Sequence, residues 1–112
     1  MPHPKYILKL TADQQYHFTL TAKNGQVILT SQTYITKSSA VNGIVSVQIN
    51  STREERYARN KATNNQFHFN LKANNGQIIG ASEMYSSLEA REQGIESVKQ
   101  NGKTLEVEDL TK

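Results

Sequence analysis

No cysteine and no tryptophan occur in these 112 residues, and there are only two prolines. Without cysteine, disulfides, thiolate nucleophiles and thiolate metal sites are excluded, so a packed core must hold the fold unaided. The same absence fits a reducing compartment. No apolar run approaches the length of a membrane span, and the start, Met1-Pro2-His3-Pro4-Lys5, lacks the apolar stretch of a secretory signal. Neither export nor membrane insertion is expected, and the expected location is cytoplasmic. Catalytic signatures are missing too: there is no GxGxxG, no GxxxxGK followed by Ser or Thr, no HExxH and no GxSxG. The serines Ser31, Ser38-Ser39 and Ser86-Ser87 have no base nearby and read as caps and turn residues. Nothing points to an enzyme, and no cofactor is expected.

What is present suits one small globular domain, residues 1–112: 36% of the residues are hydrophobic, and a chain of this length buries roughly two-thirds of the surface it exposes when unfolded. The net charge of +3 is unevenly placed. Residues 1–50 carry Lys5, Lys9, Lys23 and Lys37 against Asp13 alone, whereas residues 51–112 hold nine basic and nine acidic side chains.

The dominant signal is an internal repeat. Shifting the chain by 51 positions aligns Gln15-Tyr16-His17-Phe18-Thr19-Leu20-Thr21-Ala22 with Gln66-Phe67-His68-Phe69-Asn70-Leu71-Lys72-Ala73, without a gap. Asn24-Gly25-Gln26 then meets Asn75-Gly76-Gln77, Tyr34 meets Tyr85, and Gly43-Ile44 meets Gly94-Ile95; 17 of 46 positions are identical. Two copies, about 5–50 and 56–101, therefore follow one another, with a short strand at about 104–109 after the second.

Each copy begins with a tyrosine-led strand, Tyr6 to Leu10 or Tyr57 to Lys61, and a polar turn. The second strand alternates cleanly, with Tyr16, Phe18, Leu20 and Ala22 (Phe67, Phe69, Leu71, Ala73) on a core face and His17, Thr19, Thr21 (His68, Asn70, Lys72) on a polar one. Asn24-Gly25 and Asn75-Gly76 predict type I′ hairpin turns into a third strand. Ser86-Ser87-Leu88-Glu89 then predicts a capping box, with Ser86 as N-cap of the second helix. Gly43 and Gly94 fall mid-helix, where glycine costs nearly 1 kcal/mol against alanine, so close packing of the helix onto the sheet is the expected reason. Asn50 and Asn101-Gly102 supply the stops. The linker Ser51-Thr52-Arg53-Glu54-Glu55-Arg56 is too short for independent halves, and a single three-strand unit would leave its apolar face poorly covered. Two copies about an approximate twofold, a fused pseudo-dimer acting as a monomer, resolve this.

The stretches Gln66 to Asn74, Glu54-Glu55-Arg56-Tyr57 and Gly94 to Lys99 resemble the YegP-like family, small bacterial proteins of one or two such repeats. The resemblance runs from about Tyr6 to Asn101. It implies an α+β fold in which two tandem βββα repeats share one antiparallel sheet, both helices lie on one face, and the strand after each helix is exchanged into the other half. The family brings no assigned catalytic or binding residues. Departures between copies, at Leu8/Arg59, Leu10/Lys61 and Leu29/Gly80, speak against a strictly symmetric site.

The polar strand face, with His17, Thr19, Thr21, His68, Asn70 and Lys72, is the candidate binding surface. Metal binding is not expected there, because the two histidines bring neither cysteine nor acid at a ligand spacing. Tyr34 and Tyr85 read as staples against the first helical turn rather than as ligand stackers. The functional expectation is a non-enzymatic binding module that meets a protein or peptide partner through the open sheet face or a strand edge. Nucleic-acid binding is the alternative, weakened by the core-side placement of Phe18, Phe67 and Phe69, which would otherwise stack on bases.

Overall fold

The computed structural model describes residues 3–111. Strands β1 (Lys5–Leu10), β2 (Tyr16–Thr21) and β3 (Val27–Ser31) lead into helix α1 (Lys37–Asn50) and a single 3-10 turn at Glu54–Arg56. Then come β4 (Tyr57–Lys61), β5 (Phe67–Lys72), β6 (Ile78–Ala81), helix α2 (Leu88–Asn101) and β7 (Val107–Asp109). All seven strands form one sheet in the order β4-β5-β6-β3-β2-β1-β7. Every neighbouring pair is antiparallel except β1 with β7, which is parallel. A mixed edge was not expected; it arises because β7 is reached through the turn after α2 and starts beside the beginning of β1.

The hairpins are built from one loop type used four times. In each, a three-residue loop closes a type I turn and ends in a left-handed residue, at Gln14, Gly25, Asn65 and Gly76, with φ of 65°, 84°, 63° and 86°. The first is closed by Thr11 N–H to Gln15 O and Gln14 N–H to Thr11 O, and the same pattern recurs in the other three. The expected type I′ turns are thus corrected: Gly25 and Gly76 take positive φ, but Asn24 and Asn75 do not. The asparagines instead accept a hydrogen bond from the amide two residues on, at 3.0 Å in both copies.

Beyond these loops the register shifts, so that Leu20 faces Leu29 but Thr21 faces Val27, and likewise Leu71 faces Gly80 but Lys72 faces Ile78. The extra residue, Ile28 or Ile79, is a bulge that lets two successive residues of β3 and of β6 be buried. The N-caps are Thr36, which accepts from Ser39 N, and Ser87, which accepts from Ala90 N. Helix α2 therefore begins one residue later than Ser86 and Glu89 predict, and Glu89 stands at the second helical position, out of capping-box register.

One core cluster draws on both repeats and includes Tyr6, Leu8, Phe18, Leu20, Leu29, Ile44, Val47, Tyr57, Phe69, Leu71, Ile95 and Val98. The glycines inside the helices pack on tyrosine rings rather than on sheet backbone: a Cβ on Gly43 would lie 2.5 Å from Tyr34 Oη, and one on Gly94 would collide with Tyr85 Oη. Each ring in turn lies parallel to Phe18 or Phe69 at 6.4 Å between centroids. These tyrosines therefore support the second helical turn, not the first.

The pseudo-twofold axis can be located residue by residue. Thr30 and Ala81, equivalent in the two copies, are cross-strand partners at the β3–β6 junction. Ser51 and Gly102, also equivalent, touch at the helix ends, where a Cβ on Gly102 would fall 2.5 Å from that of Ser51. Beside the sheet end of the axis Leu29 leans over Gly80, whose added Cβ would meet Leu29 Cδ2 at 2.8 Å.

Leu29 and Gly80 should therefore be energetically coupled. In urea unfolding, Leu29→Ala alone should cost about 2–5 kcal/mol and Gly80→Ala alone about 1–3 kcal/mol. The double variant should lose less than the sum, by about 0.5–3 kcal/mol; strict additivity would mean that the two sites do not share the space. At the loops, Gln14→Gly should raise stability by about 1 kcal/mol, since it relieves a left-handed conformation in a non-glycine residue, with a higher melting temperature as the readout.

Candidate functional site

On the sheet face turned away from the helices, the register lines up Glu108, Ile7, Thr19, Thr30, Ala81, Asn70 and Ala58 in a row across all seven strands. Lys9 beside His17 and Asn60 beside His68 extend this surface to opposite corners. Thr19 and Thr21 are buried, whereas His17, His68, Asn70 and Lys72 are half-buried. Thr21 Oγ1 donates to Lys5 O at 3.2 Å, while Thr19 Oγ1 makes no hydrogen bond among the described residues. The face is also less polar than the alternation predicts, because Val27 and Ile78 stand exposed on it beside the bulges.

The six predicted residues are on one face but do not converge. His17 and His68 are separated by three strand spacings of roughly 4.8 Å, and by about four residues along the strands, which places them on the order of 20 Å apart. Among the described residues no group of three or more His, Asp or Glu is arranged to hold a metal ion. No helix there is long and apolar enough to cross a membrane. Phe18 and Phe69 are fully buried on the helix side, so they are unavailable to stack on bases.

The two copies differ most at their outer flanks. In the first, the segment before and through β7 runs beside α1: Gln48 Nε2 donates to Thr104 O at 2.9 Å, and Lys37 pairs with Asp109 at 2.6 Å. β7 is stitched to β1 by Tyr6 N–H to Glu106 O and Leu110 N–H to Leu8 O, both 2.9 Å, and by Lys5 to Glu108 at 2.6 Å. Hydrogen bonds from Lys37 and Thr111 hold the Asp109 carboxyl well below the usual range.

In the second copy no strand follows β4 outward among the described residues. Its flank is closed by ion pairs, with Arg59 bridging Glu54 at 2.6 Å and Glu92 at 2.9 Å, and Lys99 reaching Glu54 at 2.5 Å. Hydrogen bonds from Arg59 and Lys99 pull the Glu54 carboxyl from 4.5 down to about 2, and Glu92 is lowered mainly by Arg59. The helices differ in the same sense: Val41, Val45 and Ile49 face solvent on α1, where α2 has Glu92, Glu96 and Gln100.

Pseudo-symmetry also produces paired clefts between a helix end and the Asn-Gly hairpin of the other copy. One, of about 590 Å³, includes Ser46, Asn50, Arg53, Arg56, Asn74 and Asn75; its counterpart, of about 370 Å³, includes Ser97, Asn101, Lys23 and Asn24. Sequence reasoning passed over Arg53 and Arg56 as linker charges. Their signal was the spacing of two arginines just beyond the helix-ending Asn50, in a stretch whose counterpart lies ahead of β1.

Comparison with known proteins agrees with this architecture. The profile of the domain of unknown function DUF1508 matches twice, over residues 12–57 and 62–109. A UPF0339 protein of Shewanella oneidensis is 56% identical over 106 residues, covering 95% of this chain and 96% of that one. The UPF0339 protein YegP of Escherichia coli K12 is 52% identical over 104 residues, covering 93% and 94%. The solution NMR structure of the E. coli protein yegP, described as of unknown function, superposes with a TM-score of 0.92 at 48% identity, covering 98% of this chain and 95% of that one.

The ionic flank sets an acid limb of stability. Glu54 has a depressed folded-state pKa, so its contribution is fully present above the ordinary 4.5 and is lost as pH falls through that value towards about 2. The Glu54 side chain is 57% exposed, which screens the pair, and Glu54→Gln should cost only about 0.5 kcal/mol at neutral pH. The difference between the variant and the parent in urea midpoint should shrink below about pH 4; a difference that persists undiminished at pH 3 would show that charge is not its source.

Proposed function

For this chain, which belongs to the DUF1508 family, we propose a non-enzymatic role as a cytoplasmic interaction module that takes an extended polypeptide strand along the outer edge of β4. The observation that carries this reading is the pseudo-twofold relation between β4 and β1. β1 already receives a strand, β7, through the outward Tyr6 amide and Leu8 carbonyl. The equivalent groups belong to Tyr57 and Arg59, and β4 stands at the end of the strand order with no neighbour beyond it among the described residues. The Tyr57 amide is taken by Glu54 O, which leaves the groups of Arg59 and Lys61 for an incoming strand.

The chemistry of the partner follows from the edge. Lys61 lies on β4 and makes no ion pair among the described residues, whereas Arg59 is already shared between Glu54 and Glu92, so an extended segment with an acidic side chain opposite Lys61 suits the edge. The chain's own β7 segment, Leu105-Glu106-Val107-Glu108-Asp109, has that character and sits against Lys5 and Lys37. The sheet face supports nucleic-acid binding less well: its central row holds Thr, Ala, Asn and Ile side chains, and Lys5 is already paired.

Hydrogen exchange by NMR, with and without a synthetic peptide of residues 103–111, tests the proposal. The Arg59 and Lys61 amides should exchange fast in the protein alone and become protected as peptide is added, with shifts confined to β4 and its neighbours. Protection of those two amides without peptide, or peptide-induced shifts that bypass β4, would contradict an open strand site.

A further inference from the structure

We propose that the cleft at the end of α1 is a binding site for a small ligand bearing a carboxylate or phosphate oxyanion, gripped by Arg56 and Arg53. The inference is independent of the β4 edge and rests on how Arg56 is held. Its Nε donates to Asn50 Oδ1 at 2.9 Å and its Nη2 donates to Asn74 Oδ1 at 2.8 Å. The guanidinium is therefore fixed between the helix end and the β5–β6 hairpin, with its side chain only 19% exposed. Both anchors are neutral amides. The nearest carboxylate, Glu55, is 3.9 Å from Nη1 and mostly in solvent.

A guanidinium has five N–H donors, and two are committed to the asparagines, which leaves three on a half-buried fork held in place at both ends. Such a fork matches the two oxygens of a carboxylate or phosphate. Arg53 lines the same cleft and makes no ion pair among the described residues. Among the described residues no Asp or Glu lines the cleft.

A purely structural account would make Arg56 a cation that offsets the carbonyl end of α1. It covers the bond to Asn50 but not the second arginine. The pseudo-equivalent cleft argues the same way. It keeps the polar framework, with Ser97, Asn101 and Asn24 in the places of Ser46, Asn50 and Asn75, yet is lined by no arginine. Lys5, in the place of Arg56, is turned to Glu108. The fold thus closes a helix end against a hairpin without arginines; the counterpart cleft carries a lysine, Lys23, in the place of Asn74, and the paired guanidinium groups belong to one cleft alone.

The test is an NMR titration of the arginine Nε–H and asparagine Nδ2–H signals with sodium phosphate and, separately, with sodium citrate, against sodium chloride at equal ionic strength. Saturable shifts at Arg56, Asn50 and Asn74 are expected with at least one of the two anions, and which one binds tighter distinguishes phosphate from carboxylate ligands. Arg53→Gln, at an exposed position, should weaken binding about tenfold while leaving the fold intact, and Arg56→Lys should weaken it further by losing the planar fork. Shifts that track ionic strength equally in chloride, or saturation unchanged in Arg53→Gln, would overturn the assignment.

Discussion

Two helices end against each other on the pseudo-twofold axis, and at that point there is room for one side chain rather than two. Ser51 supplies it and is fully buried, and Gly102 gives way. Tyrosines from the two sides of the sheet reach in to the same place: Tyr57 Oη donates to Ser51 O, and Tyr6 Oη donates to Gly102 O, both at 2.6 Å. Burial pushes both phenols far above their ordinary range, so they remain neutral donors. Each bond satisfies a carbonyl that a helix end leaves without a partner, and an unmet buried carbonyl costs about 1–3 kcal/mol. With both helix ends pinned, the course of each helix over the sheet is set, and so is the place where Gly43 and Gly94 meet their tyrosine rings.

From that shared frame the halves diverge at the rim. One flank is closed by backbone pairing to β7 and the other carries ion pairs beside an unpaired strand edge, and the first helix faces water with valines where the second shows acids. None of these differences touches the axis. At the axis the copies differ by complementation, a side chain in one facing a glycine in the other, as Ser51 faces Gly102 and Leu29 faces Gly80; at the rim each copy meets solvent alone and the differences are independent. The β4 edge lies in that outer, divergent zone, while the arginine cleft sits beside the end of α1.

Much of the frame was legible in the chain. The 51-residue shift, the alternation of Tyr16 to Ala22 and of Phe67 to Ala73, and the helix-ending Asn50 and Asn101 each rest on local chemistry that tertiary packing did not override. What escaped notice depends on small balances or on distant neighbours. Ser86 and Ser87 are equally good caps, and packing of α2 decides between them. Asn24-Gly25 suits two hairpin loops, and only the register of the flanking strands selects the three-residue one. Thr19 and Thr21 belong to the polar face by alternation, yet neighbouring strands bury them. The parallel pairing of β7 and the anchoring of Arg56 both join groups far apart in sequence, which no periodicity announces.

The Leu29 and Gly80 pair gives the two halves different shapes where they meet. If the chain were opened in the linker after Ser51, a pair of first halves would press two leucines into the space of one, and a pair of second halves would leave a void between two glycines. The mixed pair fills the space as the intact protein does. The junction thus distinguishes self from complement by shape alone, so fragments mixed in solution would be sorted towards the hetero-pair. An ancestral symmetric dimer would have had no means of making that distinction.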